Sequence, residues 1–126
     1  MTAQEIVEEY TGRWNIETTF EESRAYLGLE STRGWCQRTV GRAEPCLLGL
    51  YSVVSLMYWS LPPGEQEQGA VAWEGKVTVT FSDAITAVRR WLWTRWVFPQ
   101  AGHGDTFAKL PEALQQLLLY GLAPSA

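Results

Sequence analysis

Most of the chain repeats its apolar positions at a helical spacing, interrupted by Gly and Pro clusters that mark the boundaries. Thr2-Ala3-Gln4-Glu5 reads as a capping box, in which the Thr2 hydroxyl accepts from a free amide and Glu5 reaches back to the cap amide. The helix it opens is predicted to run to about Leu27. Gly12 is its weak point, costing up to ~1 kcal/mol against Ala, and Gly28 supplies the stop. A connector, Glu30 to Gly34, and a stretch of uncertain type, Trp35 to Gly41, lead to a long apolar helix from about Glu44 to Ser60, with Pro45 in its first turn. Pro62-Pro63-Gly64 ends that helix, and Gly64 to Ala70 reads as a solvated loop. Val77-Thr78-Val79-Thr80-Phe81 alternates apolar and polar residues, the pattern of a short extended segment. Ser82-Asp83 is expected to cap a helix that ends at Phe98, before Pro99. Ile85, Val88, Leu92 and Trp96 fall on one side of it and Arg89, Arg90 and Arg95 elsewhere. Ala101 to Asp105 reads as a loop, and Pro111 to Tyr120 as a last helix with Gly121 as its cap. The expectation is a mainly α chain of about four helices and one short extended segment. It forms a single partial domain in three stretches: 1–60, 61–81 and 82–126.

Composition narrows this picture. Hydrophobic residues make up 46% of the 126 positions and seven are Trp, which is a globular rather than a disordered composition. A net charge of −4 gives no global signal for nucleic acid. The charge is unevenly spread, however. Residues 1–30 hold seven acids against Arg13 and Arg24, whereas 31–60 hold Arg33, Arg38 and Arg42 against Glu44 alone. An acidic lead and a basic follow-on suit a chain with one polyanion-facing surface. Cys36 and Cys46 have no second pair beside them, which excludes a Cys-rich zinc site and leaves a reduced, cytoplasmic chain as the default. No basic lead precedes an apolar run at the N-terminus, so no signal peptide is expected. The apolar stretch from Cys46 to Leu61 falls short of the ~20 residues a bilayer requires and is read as a buried helix, not a membrane span.

Candidate chemistry lies on the first helix. At ~100° per residue, Tyr10, Arg13, Glu17 and Arg24 share an arc about 60° wide, bordered by an apolar stripe of Ile16, Phe20 and Leu27. Glu8, Thr18, Thr19 and Glu22 fall on the far side. By spacing alone this is a ladder of surface salt bridges, each contributing a few tenths of a kcal/mol.

The identity of the residues adds a second reading. Tyr10, Arg13, Glu17 and Arg24 fit the pattern Y-(2)-R-(3)-E-(6)-K with Arg in the last place. Together with Arg13-Trp14-Asn15-Ile16-Glu17-Thr18-Thr19-Phe20, Leu27-Gly28-Leu29-Glu30, Arg33-Gly34-Trp35 and Pro45-Cys46-Leu47, the chain resembles the DDE transposases of bacterial insertion sequences. The resemblance is dense over 6–58, sparser through 95, and beyond that consists only of helical character. It implies a C-terminal helical part of an RNase H-like α/β catalytic domain. In such domains Asp, Asp and Glu hold two divalent ions, Mg²⁺ or Mn²⁺, for in-line displacement at a DNA phosphate. It implies that Glu17 is the third carboxylate and a metal ligand. Tyr10, Arg13 and Arg33 would be DNA-binding, and Arg24 would stand for the usual lysine, keeping charge but changing shape and reach.

The two aspartates of that family precede the glutamate. Here sixteen residues precede Glu17 and none is Asp. Asp83 and Asp105 follow it; Asp83 reads as a helix cap, and His103 as a solvated loop residue. The chain by itself is therefore expected to cut no DNA. The apolar faces that a sheet covers in the family are expected to pack on each other, self-associate or stay exposed. Two alternatives remain. One is a module that binds DNA, through Arg13, Arg24, Arg33, Arg38, Arg42, Arg89, Arg90 and Arg95 with Trp35 or Trp93 stacking on bases, or that binds intact transposase. The other is a small helical interaction domain with no tie to DNA.

Overall fold

The computed structural model describes residues 1–29 and 36–125, with the side chains of 13–15 outside the description. It is mainly helical, and no strand occurs among the described residues. The chain separates into two compact units, Met1–Val53 and Val54–Ala126.

In the first unit, α1 spans Ala3–Glu22 and opens on the expected capping box. Glu5 N donates to Thr2 Oγ1 at 3.3 Å and Thr2 N donates to Glu5 Oε2 at 2.5 Å. It continues into a π-helical turn, Ser23–Leu27, and stops at Gly28, whose φ of 77° is the left-handed conformation glycine adopts at little cost. The start and end of this element agree with the sequence pattern.

The face it buries does not agree. Ile16 and Phe20 are exposed, at 59% and 40%. The inward side carries Thr19, Glu22 and the fully buried Ser23. Thr19 and Glu22 meet the hydroxyl of Tyr51, whose pKa is raised by burial first, with Glu22 adding to the rise and the Thr19 hydrogen bond opposing it. A helix packs on whichever side its neighbour offers partners, and the polar side of α1 matches a tyrosine hydroxyl.

The second helix, α2, spans Gln37–Ser60, starting about seven residues before the sequence pattern suggested. Pro45 therefore lies inside the helix rather than in its first turn. Its ring has no N–H, so the Gly41 carbonyl loses its usual helical donor. The helix continues because Leu47, Tyr51, Val54 and Tyr58, at helical spacing, are all at least partly covered.

The second unit is built around α4, Phe81–Leu92. Every residue from Phe81 to Val88 is buried, as is Arg90. Val54, Tyr58, Leu61, Leu119 and Ala123 complete the buried set. Its N-terminus corrects the sequence expectation. Thr80 is the cap and Asp83 is the third residue of a capping box, two positions from the Ser82-Asp83 cap that was expected. The alternating segment Val77–Phe81 forms no strand. Val77 and Val79 are 92% and 52% exposed, with no described strand beside them to reward pairing, and Phe81 is already the first residue of the helix.

Past Leu92 the chain makes a second π-turn, Trp93–Val97, and then α5, Phe98–Gln100. Pro99 is accommodated there in the first turn, where a missing N–H costs nothing. A one-turn α3, Pro63–Gln66, occupies part of the expected loop after Pro62, and α6, Gly104–Ala108, part of the other. The last helix, α7, spans Glu112–Leu122, with Gly121 inside it and Ala123 at its end. The Gln115 amide ties α7 to α6, donating to the carbonyls of Phe107, Ala108 and Leu110 at 3.0, 3.3 and 3.1 Å. No described helix is long and apolar enough to cross a membrane.

Candidate functional site

Of the five residues singled out by the transposase-like signature, Tyr10, Glu17 and Arg24 are exposed on the first helical element, Tyr10 and Glu17 on α1 and Arg24 in the π-turn that prolongs it. Arg13 lies on the same helix with its side chain outside the described set, and Arg33 lies outside the described residues. On a regular helix Thr19 and Glu22 stand about 120–180° round from Tyr10, so Tyr10 and Glu17 look away from the side that meets Tyr51. The apolar stripe bordering them is exposed with them.

Among the described residues, no three His, Cys, Asp or Glu side chains converge to hold a metal ion. A hard divalent cation takes several oxygen ligands, and Glu17 offers one carboxylate. The two-ion set implied by the resemblance does not fit the described residues, and no metal-dependent step is assigned to them.

The remaining cations divide sharply. Arg38 and Arg42 are exposed one turn apart on α2 and border a shallow depression with Cys46. Arg89 is exposed. Arg95 donates through Nη2 and Nε to Glu65 Oε1 at 2.9 and 3.3 Å. Arg90, grouped with these by sequence as a possible DNA contact, is 5% exposed and cannot reach a polyanion on the surface. Trp93, one of the two candidate stacking residues, packs against Phe98 at 5.5 Å between ring centroids, and Phe98 stacks on Phe107 at 4.8 Å. Trp35 lies outside the described residues.

Two arrangements escaped the sequence reading. The first is a polar knot on Asp83. Its Oδ1 accepts from Val71 N at 3.1 Å, and its Oδ2 accepts from Thr80 N at 3.1 Å and from Lys76 Nζ in an ion pair. Lys76 also donates to the Val71 carbonyl and lies 4.4 Å from the Trp73 ring centroid. Burial pushes the Asp83 carboxyl up, but the hydrogen bonds from Lys76, Val71 and Thr80 outweigh it and hold the pKa below its ordinary value. One carboxylate thus fastens the loop 71–80 to the N-terminus of α4. The capping role was legible; the partners twelve and seven residues upstream were not.

The second is a cavity of about 610 Å³ in the second unit, with Arg90, Trp91, Arg95, Phe107 and Gln115 among its lining. Arg90 forms its inner wall. Nε donates to the Ala123 carbonyl at 3.2 Å and Nη2 to Ser125 Oγ at 3.5 Å, while Ser125 Oγ donates to the Gly69 carbonyl at 2.7 Å. Burial lowers the Arg90 pKa.

No protein-family model, curated protein or solved structure matches the chain. Its functional reading rests on its own residues and geometry.

Proposed function

We propose that the chain is a piece of a DDE transposase from the RNase H-like group, carrying the helix of the third catalytic carboxylate, Glu17, and acting on DNA by binding rather than cutting. The observation that carries this reading is the signature itself, set on one helical element that is capped by Thr2 at its start and ended by Gly28, with Tyr10, Glu17 and Arg24 exposed together along it. Tyr10, Arg13, Arg24 and Arg33 would meet backbone phosphates at a transposon end. Arg in place of Lys at position 24 keeps the charge and adds a bidentate fork, which suits a phosphate. Arg38 and Arg42, exposed on α2, extend the cationic surface of the same unit. A lone Glu17 holds divalent ions poorly, so catalysis requires two further carboxylates, from a longer chain or from a partner.

The test has two arms. Purified chain is titrated onto a labelled duplex bearing an insertion-sequence end, at several salt concentrations and with Mn²⁺ present. Binding that weakens steeply with salt, without nicking, is the expected result, because each phosphate contact releases a counterion. Metal-dependent nicking by the chain alone contradicts the inactivity. Absence of salt-sensitive binding removes the DNA reading and leaves a helical interaction domain. The second arm reads the DNA upstream of the coding segment. Two aspartates on predicted strands there mark the piece as half of a transposase.

A further inference from the structure

Arg90 is a buried cation without an anion. It is 5% exposed, and among the described residues it takes part in no ion pair. Both of its hydrogen-bond acceptors, the Ala123 carbonyl and the Ser125 hydroxyl, are neutral. Its Nη1 has no hydrogen-bond partner among the described residues. A guanidinium stays protonated even when burial lowers its pKa, so the site keeps a full positive charge. Buried charges in folded proteins are paired, since an uncompensated one costs several kcal/mol. Two acids border the same cavity. Glu65 is taken by Arg95, and Asp105 is exposed and forms no ion pair with Arg90.

We propose that the cavity binds a small organic oxyanion carried on a flat ring, with the anionic group on Arg90. The volume of about 610 Å³ falls within the ~300–1,000 Å³ of small-molecule sites. Trp91 and Phe107 supply flat apolar wall. The guanidinium fork matches carboxylate and phosphate oxygens alike. Gln115 spends its amide N–H groups on three carbonyls, which leaves its oxygen to accept from a ring N–H. This site is remote in chemistry from the Glu17 helix and does not depend on the transposase reading.

Titration calorimetry tests it with four probes on the full chain: adenosine monophosphate, indole-3-acetate, adenosine and inorganic phosphate. Binding of either ring-borne anion at or below about 1 mM, with adenosine and inorganic phosphate each at least about tenfold weaker, supports the site. Which of the two anions binds tells a phosphate-bearing ligand from a carboxylate-bearing one. Two variants locate it. Arg90→Lys keeps the charge but loses the fork and is expected to weaken binding about tenfold. Ala108→Trp fills the lining without touching the Arg90 hydrogen bonds and is expected to abolish binding while leaving the thermal melt unchanged. Failure of both anions to bind the unaltered chain overturns the proposal, as does equal binding of adenosine and its monophosphate, or binding that survives Ala108→Trp.

Discussion

The guanidinium of Arg90 occupies the space that a side chain at Gly69 would need. A Cβ built on Gly69 lies 2.8 Å from Arg90 Cζ, 2.9 Å from its Nε and 2.6 Å from Thr86 Cγ2. Gly69 also holds a φ of 75° and accepts from Ser125 through its carbonyl. One backbone position thus fixes a buried cation, a helix residue and the C-terminal segment together.

Gly69→Ala is expected to destabilise the second unit by about 2–4 kcal/mol, from roughly 1–2 for the left-handed backbone and a similar amount for overpacking. Chemical denaturation followed by far-ultraviolet circular dichroism reads the shift in midpoint. A change under about 0.5 kcal/mol shows that Arg90 and Thr86 move aside freely.

Asp83 governs the loop 71–80. Removing its charge in Asp83→Asn leaves the Lys76 ammonium beside a neutral amide and weakens the capping box, an expected loss of about 3 kcal/mol. The pH dependence follows from the lowered pKa. A carboxyl depressed in the folded state contributes stability that is complete above its unfolded pKa, about 3.9. That contribution disappears as pH falls through the lower folded value. Stability of the unaltered chain should therefore drop below about pH 4, and the Asp83→Asn variant should show a shallower drop. Parallel acid titrations of the two proteins would show no difference if another group carries the effect.

Several leucines of α7 look outward. Leu114, Leu117, Leu118 and Leu122 share a side of the helix at helical spacing and are exposed, while Leu119 is buried. The chain is expected to self-associate as concentration rises. Replacing Leu117 and Leu118 by Glu should raise the monomer fraction in sedimentation velocity without lowering the melting temperature. Unchanged sedimentation would locate the adhesive surface elsewhere.

For the DNA reading, Arg24→Ala and Arg42→Ala should each weaken binding to duplex DNA and reduce the slope of log affinity against log salt by about 1. Arg90→Lys should leave that slope unchanged, because Arg90 is buried. Equal effects from all three would point to unfolding rather than lost phosphate contacts.

The sequence carried the local structure well where side chains speak to their own backbone. The Thr2–Glu5 box, the Gly28 stop and the break at Pro62 are all chemistry within four residues, and all appear where expected. It misled where the outcome depended on distant partners. Val77–Phe81 alternates like a strand but has none to pair with, and the Ile16–Phe20 stripe reads as core yet faces outward. Pro45 looked like a helix start because a proline is cheapest there, but packing on either side of it carries α2 through. The Arg90 cavity was illegible for the same reason: its walls come from α3 through α7, and nothing local to Arg90 distinguishes it from exposed Arg89.

The wide turn at Ser23–Leu27 bears on how motif spacings are counted. A turn closed by i→i+5 bonds holds one residue more than an α-helical turn, so rotation per residue slows there. Arg24 is its second residue. Six residues between an acid and a cation then mean a different angular separation here than in a helix that stays regular to its end. A single-residue deletion in this turn would restore the regular winding and swing everything after it by about 100°. Two chains with identical motif spacing can in this way aim their last cation in different directions, and counting letters will not tell them apart.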